Sequence, residues 1–189
     1  MTAGDTARPL RADARRNRDR VLAVAREAFA EEGPDASLNE IAQRAGVGPG
    51  TLYRHFPTRR TLQAAVLGDR IQRLAGRADE LLATAPPGEA LAGWMRALLE
   101  HGRTDHGLGG AMMAEPLDVG FDCHATIRAA AERVLGGAQR AGAARPDLSC
   151  DDVIQLVVGI ALSTVQGDPG RSERLLGLVL DAVLVRDPG

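Results

Sequence analysis

Lysine is absent from this 189-residue chain: all 23 of its basic residues are arginine. Alanine and glycine are abundant, which together points to high-GC codon usage. Arginine therefore doubles as the general solubilising residue, and a run of arginines carries less functional weight than usual. Aromatic side chains make up only 3%. After residue 56 only Trp94 and Phe121 remain, so any pocket there is mostly aliphatic. Two cysteines, Cys123 and Cys150, form no spacing motif and have no cation beside them in the sequence. That argues against a zinc framework and against a reactive thiol, and fits a reducing compartment. No run of eighteen apolar residues occurs, and Met1 to Arg20 lacks a signal-peptide segment. We expect a cytoplasmic protein with no membrane partner. Strand-like alternation is missing as well, which makes the expected class all-α.

What the chain does have is an uneven charge. Residues 1–60 hold 11 Arg against 8 acidic residues, or +3, and residues 61–189 hold 12 against 17, or −5. The positive segment contains the most specific pattern. Ser37 and Glu40 have the spacing of a capping box, opening a helix that buries Leu38, Ile41 and Ala42. Gly46 ends it with the positive φ that a tight interhelical turn needs. Gly48 then stands at the next N-cap, Pro49 at the first helical position and Gly50 after it. Leu52 faces inward. Thr51, Tyr53, Arg54 and His55 form an outward face suited to DNA, and Pro49 offers apolar contact to a thymine methyl.

Residues 17–67, through Glu40-Ile41-Ala42, Ala45-Gly46-Val47 and Gly50-Thr51-Leu52-Tyr53-Arg54-His55-Phe56-Pro57, resemble the DNA-binding domain of TetR/AcrR-family transcriptional regulators. The C-terminal part loosely resembles the SbtR-like branch. The resemblance implies an N-terminal three-helix helix-turn-helix domain plus a C-terminal helical ligand-binding and dimerisation domain, about nine helices in all. It implies a one-component regulator, most simply a ligand-released repressor. Such a protein binds a palindromic double-stranded operator as a homodimer, with recognition helices roughly 34–36 Å apart. Thr51 becomes the base or phosphate reader, Tyr53 and His55 phosphate clamps, and Arg59 a phosphate contact at the start of the next helix. Arg54 reads a guanine edge or a phosphate. Arg16, Arg18, Ser37, Gly48, Pro49 and Gly50 complete the expected DNA surface. The family more usually has a hydroxyl and a polar residue where Gly48 and Pro49 stand, so neither supplies a hydroxyl or charged base contact.

Along the chain we expect a mobile arm over 1–12, the DNA-binding domain over 13–60 and the companion domain over 61–189. A helix from about Ala14 to Glu32 presents Val21, Leu22, Ala25, Ala28 and Phe29 on one face. A long helix opens at Pro57-Thr58, and others follow around Trp94, before Pro116 and from Asp122. Ser149 and Asp152 make a second capping box. The last two helices are apolar nearly all round, which points to a second buried face supplied by another copy of the chain. Val153, Leu156, Val157, Ile160, Leu175, Val179 and Val183 are the expected interface, with Gly159 at a close approach.

Effector contacts are expected from Trp94, Met95, Met112, Met113 and Phe121, which suit a flexible, largely apolar small molecule. The same residues serve equally well as core. His101, His106, Cys123 and His124 match no ligand spacing, and we expect neither metal nor cofactor. Rival readings are a ligand-independent regulator or a protein-binding adaptor of the same fold. A helical enzyme is a further rival, but no acid/base pair, nucleophile constellation or phosphate loop supports it.

Overall fold

The structure, a computed structural model, describes residues 7–104, 118–164 and 169–185. Among these, eight α-helices and one isolated antiparallel bridge occur, with no strand. They are α1 (Ala7–Glu32), α2 (Leu38–Arg44), α3 (Pro49–His55), α4 (Arg59–Thr84), α5 (Pro87–Thr104), α6 (Cys123–Arg140), α7 (Cys150–Ser163) and α8 (Pro169–Val183). The helical piece expected before Pro116 lies outside the described residues. One boundary differs from expectation: α1 begins at Ala7, so half of the expected arm is helical. Pro9 permits this because it falls in the first turn, where a backbone N–H has no intrahelical acceptor to lose.

The described residues divide into two compact units, one running up to Leu67, the other beginning at Gly68. The boundary drawn from sequence at 60/61 falls earlier. It differs because Leu62 and Val66 of α4, both fully buried, pack into the first core beside Val21, Ala25, Ile41 and Leu52. In that unit α1, α2 and α3 pack mutually. Gly46 supplies the expected positive φ, +64°, between α2 and α3. Helix α4 starts where expected, just after Thr58, but the way it is capped was not read from the sequence. Thr58 and Thr61 cap it by exchange, each hydroxyl accepting the other's backbone N–H at 3.1 Å, a box built without an acidic residue.

In the second unit α5 is the central element, packed on α6 and α7. Trp94, Met95, Leu98 and Leu99 are buried on it, against Val134 and Leu135 of α6 and Val153 and Val157 of α7. One helix begins where expected and one cap matches its sequence signal. Asp122 accepts from the Ala125 N–H at 2.9 Å. Ser149 and Asp152 form the full box, with the Ser149 N–H donating to Asp152 at 2.9 Å and the Asp152 N–H to the Ser149 hydroxyl at 3.2 Å. Near its end α5 runs close to α7: a Cβ placed on Gly102 would sit 2.9 Å from the Ala161 Cβ, inside normal contact. Ala144 and Leu184 form the bridge that ties the α6–α7 turn to the end of α8.

Candidate nucleic-acid interface

Helix α3 has seven residues and buries one of them. Leu52 is fully inaccessible, whereas Gly48, Pro49, Gly50, Tyr53 and Arg54 are exposed and Thr51 and His55 half-buried. A helix this short has little stability of its own, so packing must hold it. Leu52 supplies that anchor, and burying a leucine contributes about 1.5–3 kcal/mol. Its outward face is thereby left free. Phe56, the C-cap, is 3% exposed, and the His55 ring lies tilted against it with centroids 6.3 Å apart.

Ser37 caps α2, its hydroxyl accepting from the Glu40 N–H at 3.4 Å. The reciprocal bond from the Ser37 N–H to the Glu40 carboxylate is not made among the described residues, so only half of the expected box forms. Arg16 and Arg18 are both exposed on α1. Arg16 pairs with Asp13, and the Arg18 guanidinium lies 5.7 Å from the Phe56 ring centroid. Arg18 thus braces the end of α3. Arg44, at the end of α2, faces Glu27, Glu31 and Glu32 of α1 at 3.7, 3.4 and 3.4 Å. Each exposed pair is worth little alone, but three around one guanidinium fix an orientation.

Arg59 has partners within the chain that its place in the sequence does not announce. Its guanidinium donates to the carbonyls of Pro34, at 3.3 Å, and Ala36. One turn on, Gln63 is 7% exposed and donates to the same Pro34 carbonyl at 2.9 Å. The cation assigned from sequence to a phosphate is therefore held by the loop before α2, and with Gln63 it fixes the entry to the helix-turn-helix. Sequence reasoning missed Gln63. Its one signal was the i, i+4 spacing from Arg59, which places both on one face of α4.

The expected effector residues separate. Trp94 and Met95 are completely buried, and the Trp94 indole N–H donates to the Leu74 carbonyl at 3.1 Å, so both serve as core. Phe121 is half-buried. Met112 and Met113 lie outside the described residues. A cavity of about 580 Å³ opens instead between α5, α6 and α7, with Leu98, Ile127, Ile154 and Val158 among its walls.

Four expected interface residues are corrected in the same way. Val153, Val157, Ile160 and Val183 are buried in the chain's own core. A uniformly apolar helix gives no periodic signal for which side faces inward, and α5 settles it. The apolar surface of these helices is Leu156 and Leu162 on α7 and Leu178 on α8, 43%, 62% and 57% exposed, with Val185 just beyond. Leu175 and Val179 are half-buried at its edge, and Gly159 is open on the same stripe.

Both thiols titrate above their ordinary range. Burial and the neighbouring Asp122 carboxylate raise Cys123. Burial raises Cys150 too; Arg128, a nearby cation invisible in the sequence, pulls it down, but Asp151 and Glu132 push it up. Neutral thiols are poor nucleophiles. No helix among the described residues is long and apolar enough to cross a membrane.

Comparison with known proteins agrees with this geometry. Residues 21–66 match the family profile described as bacterial regulatory proteins, tetR family. Residues 86–183 match the transcriptional regulator SbtR-like C-terminal domain. The TetR transcriptional regulator SCO0520 of Streptomyces coelicolor is similar at 39% identity and TM-score 0.78, over 88% of this chain and 98% of that one. A TetR regulatory protein of Mycobacterium vanbaalenii shares 41% identity at TM-score 0.79, over 94% and 100%. An HTH-type transcriptional regulator of Staphylococcus aureus is 50% identical over 48 residues, 25% of this chain. That match spans about a quarter, 26%, of the curated relative's own length.

Proposed function

Since the chain belongs to the TetR family of bacterial transcriptional regulators, with an SbtR-like C-terminal domain, we propose that it is a cytoplasmic, ligand-released repressor binding a palindromic operator as a homodimer. One observation carries the reading: α3 buries only Leu52 of its seven residues while Thr51, Tyr53, Arg54 and His55 line its outward side. Tyr53 and His55 clamp phosphates; Thr51 and Arg54 reach base edges. The unit ending at Leu67 is the DNA-binding domain, and the unit that begins at Gly68 is the effector and dimer domain. Dimerisation uses the exposed stripe of Leu156, Leu162 and Leu178, with Leu175 and Val179 at its margin, and so supplies the paired reading heads that two half-sites require. The effector enters the cavity between α5, α6 and α7 and must bind one spacing of the paired heads better than the other.

Sequencing the genomic DNA captured by the protein identifies the operator, and titrating that duplex against salt tests the interface. Affinity falls steeply as salt rises because phosphate contacts release counterions. Tyr53→Ala with His55→Ala weakens all duplexes alike, whereas Thr51→Val or Arg54→Ala also changes base preference. A double variant that binds its operator like the wild type refutes the placement. In light scattering at micromolar concentration, Leu178→Arg yields a folded monomer and Val157→Arg an unfolded chain, because only the second buries a charge inside the protomer.

A further inference from the structure

The cavity between α5, α6 and α7 has a one-sided charge pattern. Its walls at Leu98, Ile127, Ile154 and Val158 are aliphatic, whereas Asp122, Arg128 and Asp151 bring charge to it. Arg128 is the one guanidinium in the described lining, and it is committed. Its Nε donates to Glu132 at 3.3 Å, and its Nη1 pairs with Asp151 at 3.1 Å. Asp122 is placed differently. One of its oxygens caps α6 through the Ala125 N–H at 2.9 Å, and the other accepts no hydrogen bond among the described residues. Gln155, His101 and His124, also in the lining, add further polar groups.

An incoming carboxylate or phosphate would meet a surplus of negative charge and a guanidinium with two partners already. A hydrogen-bond donor would find the spare Asp122 oxygen. Resting on the reading of this unit as an effector domain, we infer that the cavity takes a small amphipathic molecule with an aliphatic body and a hydrogen-bond-donating head, ammonium above hydroxyl, and rejects anionic heads. The aliphatic body replaces water against Leu98, Ile127, Ile154 and Val158, which supplies the affinity. The head's charge supplies the selection, since specificity is a difference between affinities.

Three probes of equal chain length separate the two contributions: octylamine, octanol and octanoate, titrated at neutral pH into the full-length protein. Calorimetry and the emission of Trp94, one helical turn before Leu98, are the readouts. We expect octylamine to bind best, octanol next, and octanoate about tenfold or more weaker than octylamine. Asp122→Asn, which keeps an N-capping side chain, narrows that gap. Val158→Trp, or Ala125→Leu if the first variant fails to fold, fills the space and abolishes binding of all three. Octanoate binding as tightly as octylamine, blocked by the filling variants, overturns the head-group assignment and leaves the effector cavity standing. Binding that survives both filling variants, or no binding by any probe, overturns the assignment together with the cavity reading.

Discussion

The two units solve opposite problems. The first must hold two seven-residue helices, α2 and α3, with most of their side chains in solvent. It does so with few buried anchors and with polar braces that reach back to α1 and the α1–α2 loop. The second encloses α5 in a core drawn from α4, α6, α7 and α8, with a tryptophan fully buried at its centre. Braces set direction, and core sets depth. A unit that must present a surface is fixed by orientation, whereas one that must surround a volume is fixed by packing.

Substitutions test that contrast, beginning where the loss is greatest. The chain has one Trp, in the second unit, and one Tyr, Tyr53 in the first, so the two units carry separate spectroscopic reporters. Trp94→Ala should cost about 3–5 kcal/mol and leave the Leu74 carbonyl without its donor. Denaturant unfolding followed by far-UV circular dichroism would show it, with a separate early transition for the second unit. Leu52→Ala should cost about 3 kcal/mol and abolish DNA binding while Trp94 emission keeps its wild-type midpoint. Matching loss of both units in that variant would break the comparison.

Gln63→Leu leaves the Pro34 carbonyl with Arg59 alone and should cost about 1–3 kcal/mol. DNA affinity should fall further than stability if the brace orients the reading helix. Tyr53→Ala with His55→Ala should change stability by less than about 0.5 kcal/mol despite its effect on DNA. The smallest effect is acidic. The Ser149 hydroxyl and N–H hold the Asp152 carboxyl below the usual carboxylate range. A depressed folded-state pKa stabilises above the unfolded value and is lost as pH falls through the folded one. The second unit should therefore lose a small increment of stability below about pH 4 that Asp152→Asn does not show.

The first unit was the more legible for a physical reason: its determinants are local. The Ser37 cap, the turn at Gly46, Pro49 at the start of α3 and inward Leu52 all act within one or two turns, where spacing alone decides direction. The carbonyl partners of Arg59 at Pro34 and Ala36 were not foreseen because they lie 25 and 23 residues away, and spacing says nothing about carbonyls at that distance. The second unit is governed by such distant partners. Its helix start near Asp122 and its cap at Ser149 could be read, but Val153, Val157 and Ile160 could not be told from Leu156 and Leu162 until α5 took one side of the helix. Trp94 could be assigned to core or pocket on composition. The carbonyl of Leu74, twenty residues earlier, makes it core.

The missing side chain of Gly102 has a consequence of its own, since this residue both meets α7 and lines the cavity beside it. The distance between two long helices is metered there by a single hydrogen atom. One added carbon would act as a shim, pressing α5 away from α7 and resetting the size of the chamber from one edge of its lining. Volume and chemistry can thus be adjusted independently, one at position 102 and the other at Asp122.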